Sequence, residues 1–330
     1  MSDSSTKTAV RSTGIINRQA LVRFASRNGI VIAFFIIAAI LAVANEHFLS
    51  VVNLLNVGRQ VSINGILAIG MTFVILTGGI DLSIGSTLAI TGMVSASLVI
   101  GDSPYLPTVA VLAGIVTGIA FGAVNGVLIA RFAVPAFVAT LGMLSMARGA
   151  TLLYSGGRPI PSLSEDFTWL GQGFVLGIPF PIIVFAVALV IAWVTLRFTV
   201  FGRWVYAVGG NAKSAKTSGI PTRTVIFSAY VIMGGLAGLA GPVLTARTSA
   251  ALPQAGLGYE LDAIAAVVIG GTSLAGGVGS LGFTLVGALI IGIISNGLDL
   301  MGVSSYYQQI IKGAIIIVAV LIDRSRNQNP

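Results

Sequence analysis

Runs of about twenty apolar residues recur along this chain, separated by short polar breaks, and about twenty is what a helix needs to cross a bilayer. The run from 179 to 197 meets no charge before Arg197. Only 8% of the 330 residues are charged, against about 25% in soluble domains. A water-soluble fold is excluded. A transmembrane barrel would show short segments alternating apolar and polar residues, and these runs are too long and too uniform. The expected fold is all-α, a polytopic transmembrane helical bundle of about ten membrane segments.

Reading the runs against their breaks places segments at 29–46, 60–77, 84–100, 108–130, 134–154, 179–197, 224–245, 260–274, 281–298 and 304–322. Residues 1–28 are polar and carry Lys7, Arg11, Arg18, Arg23 and Arg27. A signal peptide would put its apolar core nearer the start, so 1–28 reads as a retained cytoplasmic tail. The membrane domain spans 29–322, with a polar connection over 155–178 and a cytoplasmic loop over 198–223. A second cytoplasmic tail covers 323–330.

Charge sets the orientation. With both termini inside, the inner loops hold Lys7, Arg11, Arg18, Arg23, Arg27, Arg131, Arg197, Arg203, Lys213, Lys216, Arg223, Arg324 and Arg326. The outer loops hold Arg59, Arg158 and Arg247, and Arg148 and Lys312 fall within segments. This is the asymmetry of the positive-inside rule. The same rule accounts for the net charge of +8 without invoking nucleic acid.

The chain holds no cysteine and one histidine, His47, beside Glu46 at a membrane edge. Thiolate chemistry is absent, and a lone histidine does not make a metal site. The match Gly277-Val-Gly-Ser-Leu-Gly282 to a dinucleotide fingerprint lies between two membrane segments, where the fingerprint has no strand to follow. No P-loop motif occurs, so ATP is not expected on this chain. Nothing here supports an enzyme.

Glycine is abundant, 42 residues, and Gly114, Gly118, Gly122 and Gly126 recur every four positions in the fourth segment. Such stripes let membrane helices approach closely, within the protomer or between two copies. The stretch Thr77-Gly-Gly-Ile-Asp-Leu-Ser-Ile-Gly-Ser86 puts Asp81 among glycines at membrane depth. It reads either as a broken helix lining or gating a path or as a tight turn whose aspartate caps the next helix. Further path candidates are Ser83 in the same stretch and the charged Arg148, together with the neutral Asn64, Thr72, Asn125, Thr140, Ser145 and Asn296, which suit an uncharged, hydroxyl-rich solute; singly, such neutral groups often serve as interhelical hydrogen bonds. Lys312 either snorkels to the outer face or lines the path.

The loop at 198–223 is patterned beyond what a connector needs. Asn211 is a good N-cap, Gly219 a good C′ residue, and Pro221 prevents continuation. Between them a two-turn helix is expected from Ala212 to Ser218, with Ala212 and Ala215 on one face and Lys213 and Lys216 on another. So short a helix is marginal alone. It reads either as a solvated connector or, as expected from the patterning, as a helix that docks to a cytoplasmic protein through Asn211, Ala212, Lys213, Ala215, Lys216, Ser218 and Gly219.

Taken together, the 77–86 stretch, Val134-Pro-Ala-Phe-Val-Ala-Thr-Leu-Gly-Met143, Gly209-Gly-Asn-Ala-Lys-Ser-Ala-Lys-Thr-Ser-Gly-Ile220 and Gly258-Tyr-Glu-Leu-Asp-Ala-Ile-Ala-Ala-Val-Val-Ile-Gly-Gly-Thr-Ser273 give the chain a family likeness. It resembles the permease subunits of bacterial ATP-binding-cassette sugar importers, the ribose-type branch, over about 29–322. The resemblance implies a homodimer in the bacterial inner membrane, a periplasmic sugar-binding protein, and an ATPase partner that carries ATP and Mg, with no cofactor on this chain. It places the coupling helix on Asn211–Gly219. The coupling motif E-A-A-x-x-x-G of other importers is met only by Ala215 and Gly219, so no acidic contact carries over. Two alternatives stand beside this one: a branched-chain amino-acid permease of a related importer branch, which needs charge-matched groups for a zwitterion, and an ion-coupled secondary transporter.

Overall fold

The computed structural model describes residues 18–101 and 105–328. The parts of the two tails outside those ranges carry no structural account here. The described chain is helical, apart from one two-residue hairpin. Its long elements are α1 (Arg18–Ala44), α2 (Val51–Leu76), α3 (Ile84–Ser97), α4 (Pro107–Ala130) and α5 (Ala136–Ser155). The short α6 (Glu165–Gln172) and the hairpin β1 (Phe174–Val175) and β2 (Ile178–Pro179) lead into α7 (Phe180–Phe198). Then come α8 (Val200–Gly210), α9 (Ala212–Thr217), α10 (Thr222–Thr248), α11 (Tyr259–Ile269), α12 (Leu281–Leu300) and α13 (Ser305–Gln328). Among the described helices, α2, α4, α5, α7, α10 and α12 are long and apolar enough to cross a membrane, while α3 and residues 29–44 of α1 are shorter apolar helices.

The bundle has an inside and an outside of its own. The apolar window of α2 is 89% buried, whereas those of α4, α5 and α7 are 28% buried. α2, α3, α10, α11 and α12 therefore form the centre, and the outer helices turn apolar faces outward, as lipid-facing helices must. α3 is buried along nearly its whole length, its hydroxyl residues Ser86, Thr87, Thr91 and Ser95 included, which fits a helix enclosed by protein.

α2 starts at Val51, nine residues before the expected position, and Asn53 is buried and paired in the first turn of the helix. Ser50 caps it by accepting from the Asn53 N–H at 3.3 Å. The Asn53 amide donates to the Phe48 carbonyl at 2.9 Å and exchanges two hydrogen bonds with Asn296 of α12, at 2.9 and 2.8 Å. Thr72 and Thr284 meet nearer the other ends, 3.2 Å apart, so α2 and α12 run antiparallel. α11 stops at Ile269, short of the expected 274, because Gly270 and Gly271 (φ +77) end it.

The glycine stripe of α4 packs within the chain. A Cβ on Gly118 would run into the Gly234 carbonyl, and one on Gly234 would run into the Gly118 carbonyl. α10 thus carries its own matching pair, Gly234 and Gly238, and the two helices cross antiparallel with backbones in contact. The connection at 155–178 is also more ordered than its polarity suggests. Phe167 is fully buried, and the Gln172 amide donates to Ser249 Oγ at 2.7 Å, holding α6 against the far end of α10.

Candidate functional site: the projecting helix and the broken helix

α9 forms where the sequence places it. Asn211 is extended (φ −160) and its side-chain oxygen accepts from the Ser214 N–H at 2.9 Å. At the other end the Ile220 N–H donates to the Ala215 carbonyl at 3.0 Å and the Gly219 N–H to Lys216 at 3.1 Å. That is a Schellman closure, and it requires the left-handed backbone that Gly219 adopts at φ +83. Ala212, Lys213, Lys216 and Ser218 are exposed, and neither lysine is in an ion pair among the described residues.

Ala215 departs from expectation. It is only 5% exposed and belongs to the chain's own core, so it does not share an outward face with Ala212. Its carbonyl closes the helix, and its methyl belongs to the same buried cluster that Ile220 packs against. The outward surface of α9 is instead Ala212 with Lys213 and Lys216.

The loop expected at 198–223 holds a second helix, α8. Thr199 caps it by accepting from the Gly202 N–H at 3.1 Å. The Tyr206 hydroxyl of α8 donates to the Gly279 carbonyl at 3.2 Å. Burial pushes the Tyr206 phenol above its usual range, partly offset by Arg197.

Between α2 and α3 the chain is broken as the sequence suggests. α2 ends at Thr77, Gly78 turns the backbone (φ +81), and residues 79–83 run without helix into α3. Asp81 is 2% exposed. Its Oδ1 accepts from the Ser83 N–H at 2.9 Å and from the Ser83 hydroxyl at 2.6 Å. The Asn125 amide of α4 donates to Ser83 Oγ at 3.0 Å, and the Asn125 carbonyl oxygen is buried without a partner among the described residues. The Ile80 carbonyl, freed from any helix, accepts from the Tyr230 hydroxyl of α10 at 3.2 Å. The structure thus gathers Asp81, Ser83 and Asn125 into one buried polar cluster held from α4 and α10. Asp81 does not cap α3, whose N-cap is Ser83 with no side-chain capping bond. It orders the turn into α3, and it sits at a helix break enclosed by protein.

The other path candidates lie apart from this cluster. Asn64 is buried within α2. Asn296 is committed to the amide pair with Asn53. Arg148 of α5 donates to the carbonyls of Pro253 and Ala255, at 2.6 and 3.0 Å, and so ties down the loop before α11. Lys312 is paired. It bonds Asp262 Oδ2 at 2.8 Å, joining α13 to α11. Sequence reasoning passed over Asp262, Glu260 and Asn53. The signal for the two acids was present, since both lie in the quoted 258–273 stretch at the start of an apolar run.

Apolar spans around a buried polar break, with a capped cationic helix projecting from one loop, define a polytopic helical membrane protein. The family model described as "Branched-chain amino acid transport system / permease component" matches residues 53–320, and the chain belongs to that family. It is 48% identical over 299 residues to the ribose import permease protein RbsC of Escherichia coli (strain K12), covering 89% of this chain and 92% of that protein. It is likewise 48% identical over 298 residues to the ribose import permease protein RbsC of Bacillus subtilis (strain 168), covering 90% and 92%. The D-allose transport system permease protein AlsC of Escherichia coli (strain K12) is 42% identical over 296 residues, covering 88% and 90%. No solved structure matches the chain.

Proposed function

We propose that this chain is the membrane permease subunit of an ATP-driven importer that moves a ribose-like monosaccharide inward across the bacterial inner membrane. It makes and breaks no bonds itself. The observation that carries this reading is 48% identity spread over 92% of a ribose import permease. The family's name mentions amino acids, but the relatives at this identity are sugar permeases, and an amino-acid or ion-coupled route is not favoured.

The finer parts of the proposal rest on particular features. Ten crossings, with both termini cytoplasmic, are obtained by counting α1, α3, α11 and α13 with the six long spans. The antiparallel pairs α2–α12 and α4–α10 agree with that alternation. The exposed face of α9 is the docking site for a cytoplasmic ATPase, which holds ATP and Mg, and a periplasmic sugar-binding protein delivers the solute. A homodimer is supported by α5, whose Gly142, Ser145 and Gly149 are exposed along one side, with open space beyond both glycines. Small residues on an outward face suit a second helix better than lipid. The buried Asp81–Ser83–Asn125 cluster lies on or gates the path.

Because the chain lacks cysteine, Ser214→Cys gives a unique probe on α9. A membrane-impermeant thiol reagent is expected to label it only in inverted vesicles, and added ATPase subunit should protect it. Labelling from the periplasmic side would overturn the orientation, and absence of protection would overturn the docking site.

A further inference from the structure

Gly209 lies in the last turn of α8, two residues before α9 begins its cap. It sits on the backbone of two other segments. A Cβ added there would collide with the Leu76 carbonyl oxygen at the end of α2, and would stand 2.5 Å from the Gly277 nitrogen in the loop between α11 and α12. Those two segments are themselves joined, because the Gly277 N–H donates to the Leu76 carbonyl at 3.0 Å. Beside this bond, a Cβ on Gly276 (φ +89) would stand 2.9 Å from the Gly78 nitrogen and 3.0 Å from the Gly209 oxygen. The Tyr206 hydroxyl adds a bond to the Gly279 carbonyl at 3.2 Å. Three stretches far apart in sequence therefore meet backbone to backbone.

Resting on the reading of α9 as the ATPase-docking helix, we infer that this glycine junction is where a displacement of α9 enters the membrane domain, moving the α2–α3 break and the α11–α12 loop together. Gly209, Gly276 and Gly277 are positioning residues for transport. The physical reason is the absence of side chains between the segments. A rotamer change could absorb a small shift, whereas close-packed backbone passes it on. The path onward is short. Leu76 is followed by Gly78, Gly79 and then Asp81, so a movement of the α2 end reaches the polar cluster through a few residues of non-helical chain.

The test compares Gly209→Ala with Gly210→Ala in the full complex of permease, ATPase and binding protein. Gly210 is the adjacent residue, and a Cβ there meets nothing within 4 Å. Three quantities are read separately: recovery of the ATPase with the permease, ATP hydrolysis, and sugar moved per ATP consumed. Gly209→Ala is expected to keep ATPase recovery while the transport-to-hydrolysis ratio falls at least about fivefold, the lower range of typical coupling energies. Gly210→Ala should match wild type. An unchanged ratio in Gly209→Ala overturns the junction. Should Gly209→Ala fail to assemble, Tyr206→Phe, which removes one hydroxyl and its bond to Gly279 and adds nothing to the packing, decides the matter. A lowered ratio with normal recovery supports the junction, and an unchanged ratio overturns it. If the wild-type chain recovers no ATPase, the docking reading fails instead, so the two failures are distinguishable.

Discussion

Replacing the α4 glycines one at a time with alanine should destabilise the protein in an order set by what each new methyl meets. At Gly118 and Gly122 the added carbon runs into the backbone carbonyls of Gly234 and Tyr230, atoms that cannot swing away. At Gly114 the nearest atoms are the Pro242 ring and the Ser95 hydroxyl, both at 2.7 Å, and at Gly126 the nearest is the Phe227 ring at 2.9 Å. Ordinary contact begins at 3.4 Å. Gly118→Ala and Gly122→Ala therefore require α4 and α10 to part by on the order of 1 Å, and overpacking of this kind costs about 1–3 kcal/mol. Alanine returns about 1 kcal/mol of helix propensity, leaving a net loss of up to about 2 kcal/mol, or a few degrees in Tm. Gly126→Ala should cost less than either, since its nearest contact, the Phe227 ring, can turn, and the Phe227 backbone oxygen stands farther off at 3.0 Å. Thermal unfolding of the purified protein in detergent gives the order. Equal effects at all four positions, or a larger loss at Gly126 than at Gly118, would refute the packing argument.

Lys312→Met leaves Asp262 buried without its cation and should cost about 3–5 kcal/mol; adding Asp262→Asn should restore most of it, and a double variant as unstable as the single one would dissolve the pair. Asp81→Asn should impair uptake while ATPase recovery persists. Because the asparagine side-chain oxygen can accept the same turn bonds from Ser83, normal uptake would leave Asp81 only its turn-forming role. Ala215→Trp should lower the stability of the chain itself, since that methyl is inside, whereas Ala212→Trp on the exposed face should leave Tm unchanged and weaken ATPase recovery roughly tenfold. Lys213→Ala should do less, because exposed ion pairs contribute only about 0–1 kcal/mol. Equal recovery for Ala212→Trp and wild type would remove α9 as the docking helix.

Local chemistry was legible in the sequence wherever it fixes the backbone by itself. Asn211, Gly219 and Pro221 bound α9 through capping and left-handed geometry, which are properties of a few adjacent residues. The break at 77–83 was legible for the same reason, since Gly78 and Gly79 follow a continuous apolar run. What stayed hidden depends on partners distant in the chain. Ala215 looks interchangeable with Ala212 on a helical wheel until α8 and α10 are placed against it. Asn296 reads as a path candidate until Asn53 is found facing it, and Lys312 as a lone cation until Asp262 does the same. α8 was missed because Gly202, Gly209 and Gly210 disfavour helix locally. Those glycines are there for close approach, to the end of α7 at Gly202 and to Leu76 at Gly209.

The central claim is that this chain moves sugar only as part of an ATP-driven complex, and reconstituted transport tests it most directly. Purified permease is placed in proteoliposomes with its ATPase on the α9 side and binding protein loaded with labelled ribose on the other. Ribose should cross only when all three proteins and hydrolysable ATP are present. Uptake by the permease alone, driven by a proton or sodium gradient and indifferent to ATP, would contradict the account.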